Sequence, residues 1–506
     1  MSQQLISEKE SFNKMVLLTG ARVFGVIFSF IIPMYLGRHL DIEIYGTYKQ
    51  ILFVFWLSQI ALNFGFDDSV YYYFRTDKKN FALYGINALV FNLSVTSVLA
   101  IIMTVFRNQI GNLLNNPHLP EFIPLLGVLI ILTVSSLQIE GYLLNLNRFK
   151  TRLILDAGTE LLKSLSILSA FIFFNSIYMV LVFLCLIMFA RMLWAIAIIH
   201  EYKIKDDLKY IDSLQFLKKQ ARFALPLGAS RILQNILNLE TLFISSFFSL
   251  VQYTFYSVGC FDNPIINSMR TSLYELVNIE LVENIKSNNF EKAADTWRRM
   301  TRKLYLVALP FTVFMMVFST EVVTFIFSDK YIESAPFFIV YNFYILISAL
   351  NPEPLFRATS KTGYALKIRM IGVLLGIGFI ISAAYWIGPM AVLWGKLIAI
   401  AFINLTGLVI GSKLIKTKIS KMFLWQELLK ILIISALLAF SLKYCISVLD
   451  LIHKIHLFWI LAFSFSSYVL FIFLLSSYFN ILKQDETAYI QLIFKKICAK
   501  IFFFRS

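Results

Sequence analysis

Residues 153–199 read LILDAGTELLKSLSILSAFIFFNSIYMVLVFLCLIMFARMLWAIAII. Two apolar runs, Leu153–Phe174 and Ile177–Ile199, are separated only by Asn175-Ser176. A helix rises 1.5 Å per residue, so about twenty apolar residues cross the roughly 30 Å hydrocarbon core of a bilayer. Inside lipid each backbone polar group must find its partner within the segment, which makes such a run a helix. A two-residue break then sends the second helix back through the membrane. The stretch is a spanning helical hairpin.

The same reading extends in both directions. Met15–Gly37, Tyr45–Phe66, Phe81–Phe106 and Phe122–Tyr142 precede the hairpin. Phe223–Phe247, Val251–Ile279, Leu304–Phe327, Pro336–Phe356, Tyr364–Ile387, Met390–Gly411, Trp425–Val448 and Leu457–Phe479 follow it. The expected class is an all-α integral membrane protein with about fourteen spans. Composition agrees: hydrophobic residues make up 58% and charged residues only 15%, against roughly 45–50% and about 25% in soluble domains. The polar N-terminus carries no cleavage-site pattern after its first apolar run, so that run is read as a span.

The net charge of +16 would suggest nucleic acid on a soluble chain. Here its distribution gives topology instead. With the N-terminus cytoplasmic, the inner segments hold 33 Lys and Arg and the outer ones 6. That asymmetry places both termini inside. The outer loops are short, the longest being Arg107–Glu121, which leaves no room for an extracytoplasmic catalytic domain. The four cysteines and five histidines form neither a CxxC nor an HExxH pattern, so no metal site, disulfide framework or cofactor is expected. Ser287–Leu304 places Phe290, Ala294, Trp297, Thr301 and Leu304 on one helical face, with Lys292, Arg299, Arg302 and Lys303 largely elsewhere. The tail from Ala488 repeats the pattern. Both read as interfacial helices lying on anionic lipid.

A shift of 208 residues brings Gly20 onto Gly228, Ala21 onto Ala229, Tyr45 onto Tyr253, Tyr48 onto Tyr256 and Phe53 onto Phe261. It also lays the first two spans on the seventh and eighth with direction preserved. Parallel six-span repeats imply two bundles related by an axis along the membrane normal, with a cavity between them. The organisation read from this is an N-lobe at 1–200 and a cytoplasmic linker at 201–222. A C-lobe at 223–411, two further spans in 412–480 and a basic tail at 481–506 complete it.

Seven cations fall within spans: Arg22, Lys163, Arg191, Arg231, Arg270, Lys396 and Lys430. An ionisable group at bilayer depth costs at least about 2.5–3.5 kcal/mol and faces water or protein. Lys430 can snorkel to the inner interface. Lys163 can pair with Glu160, three residues away. Arg22, Arg231 and Arg270 lie on the repeated spans, at roughly the inner third to half of the bilayer. Three guanidiniums at similar depth make a focus for an anion, and their forks match phosphate oxygens. The alternative is that each pairs with an acid nearby, with Glu240, Asp262 and Glu275 available. Lys163, Arg191 and Lys396 are secondary candidates. Asp262-Asn263-Pro264 interrupts the eighth span, and Pro264 is expected to kink it. Asp262 and Glu240 are the candidates for a coupling ion, Na+ or H+.

Thr19-Gly20-Ala21-Arg22 in the first span is followed by Leu36-Gly37-Arg38, by Glu43-Ile44-Tyr45-Gly46-Thr47-Tyr48, and by Gly65 after the second span. With the span count, orientation and repeat, these residues resemble the Wzx-type O-antigen and capsule repeat-unit flippases of the MOP exporter superfamily. Asp41-Ile42 departs from the Gly-Pro usual there. The resemblance implies two six-helix lobes, alternating access in the bacterial inner membrane, and oligosaccharide on undecaprenyl pyrophosphate as substrate. It further implies that the diphosphate meets Arg22, Arg231 and Arg270, that glycan-assembly proteins are partners, and that the chain is not an enzyme. A cation-coupled drug antiporter of the same superfamily and a lipid II flippase are the alternatives. The antiporter would rely on carboxylates such as Glu240 and Asp262.

Overall fold

The computed structural model describes residues 28, 30–62, 64–76, 81–137, 139, 143, 146, 148–203, 213–235, 240–261, 264–449 and 456–478. All regular structure among the described residues is helical. Among the described residues nine helices are long and apolar enough to cross a membrane. The chain divides into two compact units, Met1–Ser257 and Val258–Ser506.

The first unit begins with α1 (residues 30–39), α2 (Ile42–Leu62), α3 (Phe66–Thr76), α4 (Phe81–Val105), α5 (Arg107–Leu113) and α6 (Leu119–Ser135). It continues with α7 (Phe149–Phe174), α8 (Ile177–Lys203), α9 (Ser213–Asn235), α10 (Glu240–Phe247) and α11 (Leu250–Gly259). The hairpin quoted above is α7 and α8, and Asn175 ends α7 in the left-handed conformation at φ 45°. Asn is among the few non-glycine residues that accept it. The expected span Tyr45–Phe66 ends earlier, at Leu62. Gly65, at φ +79°, turns the chain into the separate helix α3, a conformation glycine adopts without steric cost. Where α3, α4, α7, α8 and α9 converge, Phe66, Val70, Ala88, Leu155, Ala195 and Ala224 form one buried cluster. Phe66 stacks on Phe91 with ring centroids 3.9 Å apart.

The second unit holds α12 (Pro264–Lys286), α13 (Phe290–Val317), α14 (Ser319–Ile326), α15 (Ala335–Ser348) and α16 (Glu353–Ala358). Then come α17 (Thr362–Ile387), α18 (Met390–Leu414), α19 (Trp425–Val448) and α20 (Leu457–Tyr478). The eighth expected span is broken rather than kinked: α11 stops at Gly259 and α12 starts on Pro264. Proline at the first helical position forfeits no ladder bond. Residues 349–352 similarly interrupt the expected span Pro336–Phe356, because Pro352 and Pro354 disfavour helix in the residues before them. Asn351 Oδ1 there accepts from the Glu353 amide at 3.1 Å.

Helices in lipid gain little from hydrophobic burial against one another, so small residues that allow close approach decide their packing. The α17–α18 pair shows this. A Cβ on Gly376 would stand 2.8 Å from the Gly395 carbonyl oxygen and 2.9 Å from Ala399 Cβ. A Cβ on Gly372 would meet Ile403 at 2.4 Å.

The amphipathic stretch Ser287–Leu304 is no interfacial helix on lipid. It is the start of α13, capped by Asn289 Oδ1 accepting from the Lys292 amide, and it continues unbroken to Val317. Trp297 is fully buried, and with Ala293, Ala294 and Met300 it packs on Leu281, Leu355, Ile415 and Met422. The apolar face meets protein, not acyl chains. The tail from Ala488 lies outside the described residues.

Candidate functional site

Arg270 sits on α12, two turns after Pro264, and is half-buried. Among the described residues it forms no ion pair and no hydrogen bond. One turn further on, the Tyr274 hydroxyl donates to the Ala349 carbonyl at 2.6 Å, which ties α12 to the break after α15. Arg270 and Glu353 both lie within electrostatic reach of that tyrosine. Glu353 is already taken: its Oε1 accepts from Arg357 Nη2 at 2.6 Å, and its Oε2 lies 3.7 Å from Arg369. One carboxylate is therefore shared by two other arginines, and Arg270 has no ion-pair partner among the described residues; Asp262 and the side chain of Glu275 lie outside them. Such a charge is tolerated where water or an anion can reach it.

The other candidates are placed differently. Arg22 and Asp262 lie outside the described residues. Arg231 falls on α9, and its side chain lies outside what is described. Lys163 Nζ contacts Glu160 Oε1 at 2.8 Å on the same helix. Arg191 of α8 reaches Asp156 of α7 at 3.2 Å, and Asp156 also accepts from Arg152 at 3.3 Å. Lys396 is buried on α18 with its ammonium 4.7 Å from the Tyr344 ring centroid and 5.9 Å from that of Tyr341. Cation–π contact holds it there. Glu240 is buried at the start of α10, with the Tyr256 hydroxyl 3.3 Å from Oε1. Arg270 and Lys396 belong to the second unit, and Lys163, Arg191 and Glu240 to the first.

Two polar constellations escaped the reading from sequence. In the first unit, Gln50 is fully buried and donates to the Leu114 carbonyl and to Ser245 Oγ, both at 2.8 Å. Its own oxygen accepts from Asn116 Nδ2 at 2.6 Å, and Asn116 also donates to Thr47 at 2.9 Å. In the second unit, Arg302 of α13 is 4% exposed and meets Glu427 of α19 at 2.6 Å. The available signal was a strongly polar residue inside an apolar helix; the partners are too distant in sequence to be read.

A family model described as "Polysaccharide biosynthesis protein" matches residues 35–336, more than half of the chain. The chain belongs to the polysaccharide biosynthesis protein family. Among solved structures, "Lipid II flippase MurJ, inward closed conformation" superposes with a TM-score of 0.67 at 16% identity, covering 92% of this chain and 98% of that one. An inward-facing multidrug resistance MATE family transporter of the MOP superfamily gives 0.55 at 13% identity, covering 79% and 98%. The eukaryotic MATE transporter AtDTX14 gives 0.54 at 11% identity, covering 82% and 97%. At these identities the likeness establishes the fold: this polysaccharide biosynthesis protein has the MOP transporter fold. No match is found among curated protein sequences. With nine helices long and apolar enough to cross a membrane among the described residues, the chain is a multi-pass membrane protein.

Proposed function

We propose that this polysaccharide biosynthesis protein is a flippase. It moves oligosaccharide repeat units, linked to undecaprenyl pyrophosphate, across the bacterial cytoplasmic membrane by alternating access. The observation that carries the reading is Arg270, a half-buried guanidinium on α12 with no ion-pair partner among the described residues. A diphosphate supplies the missing negative charge, and its oxygens match the guanidinium fork. The polyprenyl tail stays in lipid while the polar head crosses a wet path. Arg22 and Arg231, expected at a similar depth, share the anion with Arg270. The proposed architecture has fourteen spans. Lobes at 1–200 and 223–411 rock against each other, spans in 412–480 are appended, and both termini are cytoplasmic.

Buried Glu240 with Tyr256 is the proposed site at which a proton or Na+ couples the cycle. Deletion of the gene tests the reading. The expected result is loss of surface glycan with accumulation of lipid-linked repeat units on the inner leaflet. Intact glycan with sensitivity to cationic dyes would point to drug antiport. Growth arrest with accumulated lipid II would point to that substrate.

A further inference from the structure

A second cationic feature lies where the linker enters α9, at the inner end of the first unit, and the translocation reading makes no use of it. Tyr73, Gln215, Lys218, Lys219, Arg222 and Phe223 line a cleft of about 480 Å³. That is within the 300–1,000 Å³ typical of ligand sites.

Gln220 fixes the orientation of this stretch of helix. It is fully buried, with Nε2 donating to Ser69 Oγ at 2.8 Å and to the Tyr84 carbonyl at 3.0 Å. With Gln220 turned toward α3 and α4, Lys218 and Arg222 point outward, and both are exposed. Lys219 is held against the aromatic wall, its Nζ 3.2 Å from the Tyr84 hydroxyl and 5.0 Å from the Tyr73 ring centroid. The wall itself is stacked: Tyr73 on Tyr84 at 4.3 Å between centroids, and Tyr72 on Phe223 at 4.6 Å.

Lys218 and Arg222 are one helical turn apart, a like-charge spacing that destabilises a helix. Neither has an ion pair among the described residues, and none of the described residues lining the cleft is a carboxylate. Lys218 and Arg222, beside this aromatic wall, therefore face the opening with no ion pair among the described residues. The place in the chain defines the ligand class. Phe223 begins the seventh expected span and the cations precede it by up to five residues, which is the depth of lipid headgroups on the cytoplasmic side. Aromatic residues at that depth belong to the interfacial belt. We propose that this cleft is a binding site for the phosphate-bearing headgroup of a lipid in the inner leaflet. The guanidinium and ammonium groups take the phosphoryl oxygens, and the chains run down past exposed Tyr72 and Leu225.

This goes beyond the translocation reading and does not require Arg270. The test is lipid retention by the purified full chain in phosphatidylcholine nanodiscs, measured by native mass spectrometry. One arm is doped with phosphatidylglycerol and the other with undecaprenyl diphosphate. Lys218→Gln/Arg222→Gln is expected to retain about tenfold less of the doped lipid than wild type. The charge-conserving Lys218→Arg/Arg222→Lys is expected to retain it, which separates charge from folding. A loss confined to the phosphatidylglycerol arm identifies bulk anionic lipid as the occupant. A loss confined to the diphosphate arm identifies the lipid carrier. Unchanged retention in both arms, or equal loss in the charge-conserving variant, overturns the proposal. An Arg270→Gln chain run in parallel keeps the outcome independent of the translocation site.

Discussion

Gly46 of α2 and Thr254 of α11 touch: a Cβ placed on Gly46 would stand 2.1 Å from Thr254 Oγ1. The 208-residue shift read from the sequence aligns these two positions, and it also aligns Ile42 with Leu250, which complete the contact. Thr254 Oγ1 lies 3.3 Å from the Ile42 carbonyl, and the Gly46 site faces Leu250 at 3.1 Å. When one residue meets the equivalent of its neighbour, and the neighbour meets its equivalent in turn, the crossing has local two-fold character. Tyr45 and Tyr253, the preceding pair, are both buried. Gly46, inside α2, is thus needed for the close approach of the two helices.

Gly46→Ala should destabilise the protein by about 1–3 kcal/mol, because the added methyl overlaps the threonine hydroxyl. Thermal unfolding in detergent measures it. In a Thr254→Ala background the same change should cost less, a non-additivity expected of residues in contact. Simple addition of the two effects would mean that the helices do not meet there.

Gln50→Leu should cost about 2–3 kcal/mol. The replacement is similar in size but leaves Asn116, Ser245 and the Leu114 carbonyl without their partner in a buried setting. Ser245→Ala removes only one hydrogen bond of the set and should cost about 1 kcal/mol. Urea or thermal titration of the two variants side by side gives the order; equal, small effects would contradict the network.

Glu427→Ala should destabilise by about 3 kcal/mol, since it removes the carboxylate that the buried Arg302 guanidinium meets. Glu427→Gln, which still accepts a hydrogen bond, should recover part of the loss. Loosening of α19 is the expected local consequence, and hydrogen exchange at residues 425–448 would report it. Unaltered protection in the alanine variant would contradict the role given to this pair.

The membrane class was legible because hydrocarbon thickness and backbone hydrogen bonding leave few ways to use runs such as 177–199. The Glu160–Lys163 contact was legible too, being three residues apart on one helix. Pairs such as Arg191 with Asp156 and Arg302 with Glu427 were not, because helical periodicity says nothing of which helix lies alongside. The stretch 287–304 shows a second limit. An amphipathic face reports that an apolar partner exists, and Trp297 found that partner in Leu281 and Ile415 rather than in lipid. The breaks at Gly65 and before Glu353 were submerged in apolar runs whose composition alone reads as continuous helix. For the candidate site, position along the spans singled out Arg270. That Glu353 is occupied by Arg357 and Arg369, rather than paired with Arg270, only the fold reveals.

The most direct test is glycan translocation by Arg270→Glu at wild-type protein level, followed as surface glycan and as lipid-linked repeat units remaining on the inner leaflet. Export is expected to fall at least about tenfold, the worth of one charge-assisted contact to phosphate, with Arg270→Lys retaining a measurable share. Undiminished surface glycan in the Arg270→Glu strain would contradict it.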